Sequence, residues 1–220
     1  MELYEVLRTT FAAREFTDEP LPDATLVKIL DHARFAPSGG NRQGWHVIAV
    51  RDRTTREALA GLCLPAARRY VAQIRAGENP WNPIEPTRVS AAEMAATTVP
   101  AQFTQSLVTA SVVLVICVDL RLVAATDQDL DRVGVVAGAS IYPFAWSILL
   151  AARHEGHGGT ITTLAIAEEP KVKALLGIPA HVAVAAIMPL GRPVRQLRKL
   201  KRKPVTELAV RERWGGEPLG

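Results

Sequence analysis

The chain has 220 residues, 48% of them hydrophobic and 22% charged, which is typical of a globular protein and excludes wholesale disorder. A chain of this length can bury one substantial core, so we predict a single domain over residues 1–220. The net charge of +4 is local, because seven basic residues and no acid lie between Arg192 and Lys203. The rest of the chain has 19 basic and 22 acidic residues, which excludes a body that binds nucleic acid by a general positive charge.

The two cysteines do not indicate a metal site. Cys63 and Cys117 form no CxxC pair and have no histidine at ligand spacing, and Cys117 lies within an apolar run. The N-terminus has no basic segment followed by an apolar stretch, so no secretory signal is recognised and a cytoplasmic location is predicted.

The first sixty residues alternate helical and β-strand patterns. Apolar residues at helical spacing predict helices over 2–10 and from Asp23 to about Phe35. Residues 36–41 have the composition of a loop. A β-rich strand is predicted at Trp45–Val50, followed by a helix over 54–62.

Residues 65–106 differ from the rest of the chain. They contain five prolines and only a patchy helical pattern: Pro65, Pro80, Pro83, Pro86 and Pro100. A segment of this length between a helix and a strand is typical of a lid or binding excursion, so we predict a substrate lid. Within this segment, Trp81 is the aromatic residue that we expect to contact the substrate or other parts of the lid.

A long apolar segment follows the strand predicted at Val112–Asp119. Residues 133–152 contain no charged side chain, and this length could span a bilayer. Gly134, Gly138 and Pro143 and the lack of a basic flank favour a fully buried helix instead. A helix that is apolar on every face needs neighbours all round, which a dimer interface would supply.

The last part of the chain contains one further strand and a basic tail. Residues 156–159 are expected to end the long helix, and a helix over 167–176 and a strand over 182–189 follow. In the tail, Val194, Leu197 and Leu200 recur every three residues, which favours packing on protein over nucleic-acid binding. Few strands separated by helices predict an α/β or α+β fold with a small sheet.

Standard catalytic motifs are missing. The chain has no GxSxG, HExxH, Walker A motif or GxGxxG after a strand, and its five histidines are scattered. A bound organic cofactor is therefore the natural source of reaction chemistry. Three parts of the sequence are suited to binding such a cofactor: Arg14, the loop 37–45, and the basic segment 200–204. Glycines in the loop allow close approach of backbone N–H groups, and Asn41 and Gln43 offer donors and acceptors for a flavin ring edge.

These pieces, taken with Thr162-Thr163 and in this order, resemble the nitroreductase family over most of the chain. The resemblance implies an α+β fold with a small central sheet, and an intertwined homodimer with two FMN sites at its interface. It also implies that the C-terminal arm, residues 192–220, wraps around the partner.

The resemblance also implies cofactor-binding residues at particular positions. The phosphate-binding basic residue falls on Arg14 and a C-terminal phosphate ligand on Arg202. The remaining flavin contacts fall on Ser38, Gly39 and Asn41 in the loop and on Ile161, Thr162 and Thr163 near the pyrimidine edge. Thr10 and Ala12 stand where the family often has Arg and Ser, so two phosphate contacts are missing or replaced, with Arg8 or Lys201 as candidate replacements.

The implied function is an FMN-dependent oxidoreductase that works by a ping-pong cycle. It would pass electrons from NAD(P)H to an electron-poor acceptor such as a nitroaromatic or quinone, with no side chain assigned as acid or base. No metal, nucleic-acid or membrane partner is expected. Two alternatives remain open. One is a flavin-binding protein for storage or sensing with little turnover, and the other is a membrane-anchored or nucleic-acid-associated protein built on residues 133–152 or on the basic tail.

Overall fold

The computed structural model describes all 220 residues and contains seven α-helices and four β-strands. The helices are α1 (Leu3–Thr9), α2 (Asp23–Ala33), α3 (Arg53–Arg75), α4 (Ala91–Ala96), α5 (Gln105–Thr109), α6 (Tyr142–His154) and α7 (Glu169–Leu176). The strands are β1 (Trp45–Val50), β2 (Val112–Asp119), β3 (Gly158–Gly159) and β4 (Val182–Gly191). None of the helices is long and apolar enough to cross a membrane.

The four strands form one antiparallel sheet in the order β1-β2-β4-β3. Trp45 lies opposite Val118 on one side of β2, and Val112 lies opposite Leu190 on the other. All eight residues of β2 are buried, because both of its faces are covered. Its β-branched run predicted this burial, and the α+β class is confirmed.

Two hydrophobic cores lie on opposite faces of this sheet, as the alternation of side chains along β2 requires. Leu114 and Ile116 point into a core shared with α2 and α6. Val113 and Val115 point into a second core shared with α3 and α7. The sheet is therefore a rigid, doubly covered platform whose two ends carry the loops that matter for function.

Helix α3 is much longer than predicted. It continues through Pro65 to Arg75, so the prediction that the helix ends at residue 62 is wrong. Pro65 removes one N–H from the helix, but the turn that follows buries Ala66 and Ala67. Residues 65–75 thus belong to the body, and only residues 76–106 of the proposed lid lie outside its long helices.

The predicted 20-residue helix over 133–152 is also wrong. The structure has an exposed stretch around Val133 and Val135, a short 3₁₀ turn at Val136–Ser140, and then α6. Asp127 Oδ2 accepts the N–H groups of Val135 (2.7 Å) and Val136 (3.3 Å), which holds the chain in this turn. Pro143 stands in the first turn of α6, where no intrahelical N–H is needed.

The C-terminal arm separates from the body after Gln196, whose side-chain amide donates to the Thr9 carbonyl (2.9 Å). From residue 198 onward the backbone bonds only within the arm, as between Leu219 N and Ala209 O (2.9 Å). Trp214 is fully exposed. Of the three residues expected to face protein, Leu197 and Leu200 are half-buried and Val194 is exposed.

Candidate functional site

The segment that carries Arg14 is held between β3 and the start of the C-terminal arm. The N–H of Ala13 donates to the Gly159 carbonyl (2.9 Å), and the N–H of Val194 donates to the Glu15 carbonyl (3.1 Å). A Cβ at Gly159 would collide with Leu190 and with the neighbouring carbonyl of β4, so this close approach requires glycine. The backbone around Arg14 is therefore held by hydrogen bonds on both sides.

The guanidinium of Arg14 is available to a ligand. Its one hydrogen bond is from Nη1 to the Ala12 carbonyl (3.2 Å), and no carboxylate pairs with it. The side chain lines a cavity of about 740 Å³ that Arg195 also lines. A guanidinium without a carboxylate partner retains all its charge for a phosphate or carboxylate from outside.

The segment predicted to contact the pyrimidine edge lies beside the middle of β4. Thr162 exchanges both backbone hydrogen bonds with Ile187 (2.9 and 2.8 Å), so its own main chain is not free for a cofactor. The side-chain hydroxyls of Thr162 and Thr163 make no hydrogen bond within the protein, and Ile161 is half-buried against the first core. At Thr162, contact with a flavin would therefore come from the hydroxyl and not from the backbone.

Thr10 cannot replace a phosphate-binding arginine, because its hydroxyl is buried and donates to the Val6 carbonyl (2.8 Å). The sequence reasoning missed Arg153, whose Nε donates to the Thr9 hydroxyl (3.0 Å) and which has no carboxylate partner. Nearby His157 is buried, and this burial lowers the pKa of its ring. Arg153 thus lies beside the altered position Thr10, while Arg8 is exposed on α1 without a partner.

The loop 38–43 has an unusual backbone. Asn41 (φ 53°) and Gln43 (φ 49°) both lie in the left-handed region, as does Gly40 (φ 60°). Left-handed conformations of residues other than glycine cost about 1 kcal/mol or more each and concentrate at binding sites. The loop is a preformed feature and not a relaxed turn.

Hydrogen bonds within the loop stabilise this shape. The Ser38 hydroxyl accepts the Gln43 N–H (3.0 Å), and Gln43 Nε2 donates to Asn41 Oδ1 (3.2 Å). Ser140, a residue with no sequence signal, accepts the N–H of Gly39 (3.2 Å). The carbonyl oxygen of the Gln43 side chain and the amide nitrogen of Asn41 remain free for a ligand.

Two buried carboxylates support the region around this loop. The guanidinium of Arg121 lowers the pKa of Asp119 to about 2, and the backbone of Asp119 donates to the Gly44 carbonyl (2.8 Å). Hydrogen bonds from the Val135 N–H and then from Arg132 lower the pKa of Asp127 to about 2. Both carboxylates are therefore ionised at neutral pH and act as fixed acceptors.

The structure does not bring the loop 38–43 and Arg14 together. The loop adjoins the end of β2 at Asp119, whereas the Arg14 segment adjoins Gly159 and Leu190 at the Val112 end. The eight residues of β2 span about 24 Å. Arg202 bonds to neither of them, and its one hydrogen bond is to the carbonyl of its neighbour Lys201 (2.8 Å).

The carboxylate of Glu78, which lies within the proposed lid, orders this segment through hydrogen bonds. Glu78 accepts the Thr87 hydroxyl (2.6 Å) and the Arg88 N–H (2.7 Å), and these bonds lower its pKa. The ring of Trp81 is covered by the guanidinium of Arg69 at 4.1 Å, so one of its faces is already occupied. A contact between Trp81 and substrate stays a prediction.

Comparison with known proteins gives a consistent result. The model of the Nitroreductase family matches residues 7–192. A putative NADH dehydrogenase/NAD(P)H nitroreductase of Archaeoglobus fulgidus is 28% identical over 87% of this chain and 86% of its own length. Iodotyrosine deiodinase 1 of Homo sapiens is 24% identical over 95% of this chain and 68% of its own length.

Solved structures show the same fold. An iodotyrosine deiodinase bound to FMN and 3-iodo-L-tyrosine has a TM-score of 0.66 at 20% identity, covering 93% of this chain and 96% of that one. A BluB-like flavoprotein from Clostridium difficile has a TM-score of 0.70 at 18% identity, covering 97% and 100%. The resemblance and the fold predicted from the sequence are confirmed.

Proposed function

We propose, since this chain belongs to the nitroreductase family, that it is an FMN-dependent oxidoreductase working as a homodimer. It passes electrons from NAD(P)H to an electron-poor acceptor such as a nitroaromatic or a quinone. The reductases and the FMN-bound deiodinase among its relatives support this proposal. The deiodinases also make a halogenated aromatic compound an acceptor worth testing.

The separation of the two halves of the site carries the dimer proposal. A single protomer presents Arg14 and the loop 38–43 at opposite ends of β2, a strand about 24 Å long. In a two-fold dimer a residue of one protomer that contacts a different residue of the partner does so twice, so the loop of each protomer can lie against the Arg14 end of the other. Two equivalent sites, each built from both chains, follow from this arrangement.

An exposed apolar surface supports the same assembly. Tyr142 and Trp146 on α6 are 43% and 39% exposed, and Leu3 and Tyr4 on the neighbouring α1 are 65% and 73% exposed. Large apolar side chains exposed on neighbouring helices are typical of interaction sites. The dimer face we propose therefore consists of the outer sides of α1 and α6, in place of the long helix expected from the sequence.

The residues present fit FMN. Arg14 and, from the arm, Arg202 would bind the phosphate. The hydroxyls of Thr162 and Thr163, beside Ile161, would contact the pyrimidine edge. The strained loop would offer the backbone and side chains of Ser38, Gly39, Asn41 and Gln43. Because Thr10 and Ala12 replace an Arg and a Ser, fewer phosphate contacts remain, which predicts modest affinity for FMN.

A flavin bound here would supply the redox chemistry that a ping-pong cycle between the nicotinamide and the acceptor requires. The chain itself binds and orients the cofactor. The pinned backbone around Arg14 keeps a positive charge in place without reorganisation. Residues 76–106 cover the approach from solvent as a lid, which would exclude water and select acceptors.

The visible spectrum of the purified protein, followed by stopped-flow mixing with NADPH, tests this function. We expect bands of oxidised flavin that bleach rapidly on mixing. Flavin that stays oxidised would instead support a storage or sensing protein, an alternative that the altered residues Thr10 and Ala12 favour. A colourless protein that does not take up added FMN would overturn both.

A further inference from the structure

Arg153 stands in the last turn of α6, and its side chain reaches the end of α1. Its Nε donates to the hydroxyl of Thr9 (3.0 Å), and this hydroxyl in turn donates to the Glu5 carbonyl (2.7 Å). Thr9 is buried, so these bonds fix the inner edge of the guanidinium group. The two Nη nitrogens make no hydrogen bond within the protein, and neither is sealed from solvent. Most donors of this guanidinium are therefore available to a ligand.

Arg153 lies in the same recess as Thr10, which stands at one of the two altered phosphate positions. The recess is bounded by the end of α1, by α6, by β3 and by the start of the C-terminal arm. Phe11 lines this recess and also the cavity that contains Arg14. Arg153 and Arg14 therefore flank one short segment, residues 10–14, in which Ala12 is exposed.

No other side chain in the recess adds to or cancels the charge of Arg153. His157 is buried, with its Nδ1 at 3.0 Å from the Glu155 carbonyl, and burial lowers the pKa of its ring, so the ring is neutral at pH 7. Gln196 donates its side-chain amide to the Thr9 carbonyl (2.9 Å), which ties the arm to the same residue as Arg153. Arg153 is thus the single charged side chain that lines the recess.

We propose that Arg153 binds the phosphate of the cofactor and supplies the positive charge that Thr10 cannot supply. The proposal rests on the proposed function, in which FMN is the cofactor and Arg14 binds the same phosphate. A phosphate monoester carries about 1.5 to 2 negative charges at pH 7, so one arginine does not neutralise it. Charge-assisted hydrogen bonds from a guanidinium to phosphate are stronger than neutral ones. In this chain the second cation comes from α6 and not from the segment that follows α1.

A comparison of FMN with riboflavin, which has the same ring system but no phosphate, isolates this interaction. The apoprotein, verified as a dimer by light scattering, is titrated with each flavin, and quenching of flavin fluorescence gives the two dissociation constants. In Arg153→Gln we expect FMN to bind about tenfold more weakly and riboflavin to bind as it does to the wild type. Arg8→Gln is the matched control, because Arg8 is a nearby exposed arginine without a partner. It should bind both flavins as the wild type does.

A second variant changes the orientation of Arg153 without removing its charge. Thr9→Val deletes the hydroxyl that accepts from Nε, so FMN alone should bind roughly threefold more weakly. Arg153 is also placed to stabilise the carbonyl end of α6, and a purely structural role of this kind would change the affinities for both flavins equally. An unchanged ratio of the two affinities in Arg153→Gln, or a loss of FMN binding in Arg8→Gln instead, would overturn the proposal and leave the proposed function standing. A wild-type protein that binds neither flavin would overturn the proposed function itself.

Discussion

The two ends of the central sheet are built in opposite ways. At the Val112 end, the backbone around Arg14 is pinned and regular, and the charged side chains are free. At the Asp119 end, the loop 38–43 has a strained backbone, and its polar side chains bond largely to one another. One end presents charge and the other presents a shaped, mostly neutral surface.

This difference shows why neither end is a complete cofactor site. A phosphate needs cations that are not neutralised, whereas a flavin ring needs closely placed donors, acceptors and a fixed surface. Each protomer has both halves, but the length of β2 separates them. A complete cofactor site therefore requires that unlike ends of two protomers pair across a two-fold axis.

The largest expected effect comes from disrupting the dimer. Trp146→Glu places a charge on the exposed side of α6 twice per dimer, so dimerisation should weaken at least about a hundredfold. Because FMN binds the assembled form, bound flavin should be lost together with the dimer. Light scattering with absorbance detection measures both quantities.

The control for Trp146→Glu is Ile84→Glu, which changes an even more exposed apolar residue in the proposed lid. It should keep both the dimer and the flavin. A variant at Gly138 is less suitable, because a Cβ there would approach the Tyr142 ring within 3.0 Å and disturb the protomer itself. A Trp146→Glu monomer that retains flavin would show that one end of the sheet suffices.

The second prediction concerns the phosphate ligands. Charge-assisted hydrogen bonds contribute about 1.5–3 kcal/mol, so Arg14→Ala and Arg202→Ala should each weaken FMN binding about tenfold to a hundredfold. Arg198→Ala should have little effect. Fluorescence titration of the apoprotein with FMN measures the three constants. Equal losses for Arg198 and Arg202 would mean that the arm acts only as diffuse charge.

The third prediction concerns the lid. Replacing residues 76–100 with a short Gly/Ser linker keeps the buried turns of α3, which end at Arg75. The shortened protein should fold and retain flavin, but the ratio of kcat/KM between acceptors should change about threefold to tenfold, because a lid contributes to selection and not to cofactor binding. An insoluble or flavin-free product would show that the segment is structural.

The fold was largely predictable where burial and sequence pattern agree. The bounds of β1 and β2 match the prediction, because a short β-branched run is favourable only as a strand in this context. The length of α3 was not predictable from Pro65 alone, since tertiary packing of the following turn outweighs one lost hydrogen bond. β3 consists of two glycines, which have no strand propensity, and is formed by close packing on β4.

The candidate site was predictable only as separate motifs. The sequence singled out Arg14 and the loop 38–43, but it could not reveal that they lie at opposite ends of one strand. It also missed Arg153 and Ser140, because a single arginine after an apolar run and a single serine within one have no pattern of their own. Their importance depends on neighbours more than one hundred residues away in the chain, such as Gly39 for Ser140.

The smallest effect concerns the support of the loop. Asp127 holds the segment that positions Ser140, and its pKa is lowered to about 2 from 3.8. A lowered pKa in the folded state gives stability that is present above the unfolded value and lost as the pH falls through the folded value. The Tm difference between wild type and Asp127→Asn should therefore be largest above pH 4 and shrink towards pH 2. A difference independent of pH would contradict this role.

The most direct test of the central claim is complementation between two defective protomers. Arg14→Ala removes the charged end, and Gly40→Val disrupts the loop end, since a β-branched residue is strained at φ 60°. Each homodimer should bind little flavin. If each site combines the two ends from different chains, the mixed dimer contains one intact site and should bind one FMN. If both ends acted within one chain, the mixed dimer would contain no intact site and would bind none, which would contradict the account.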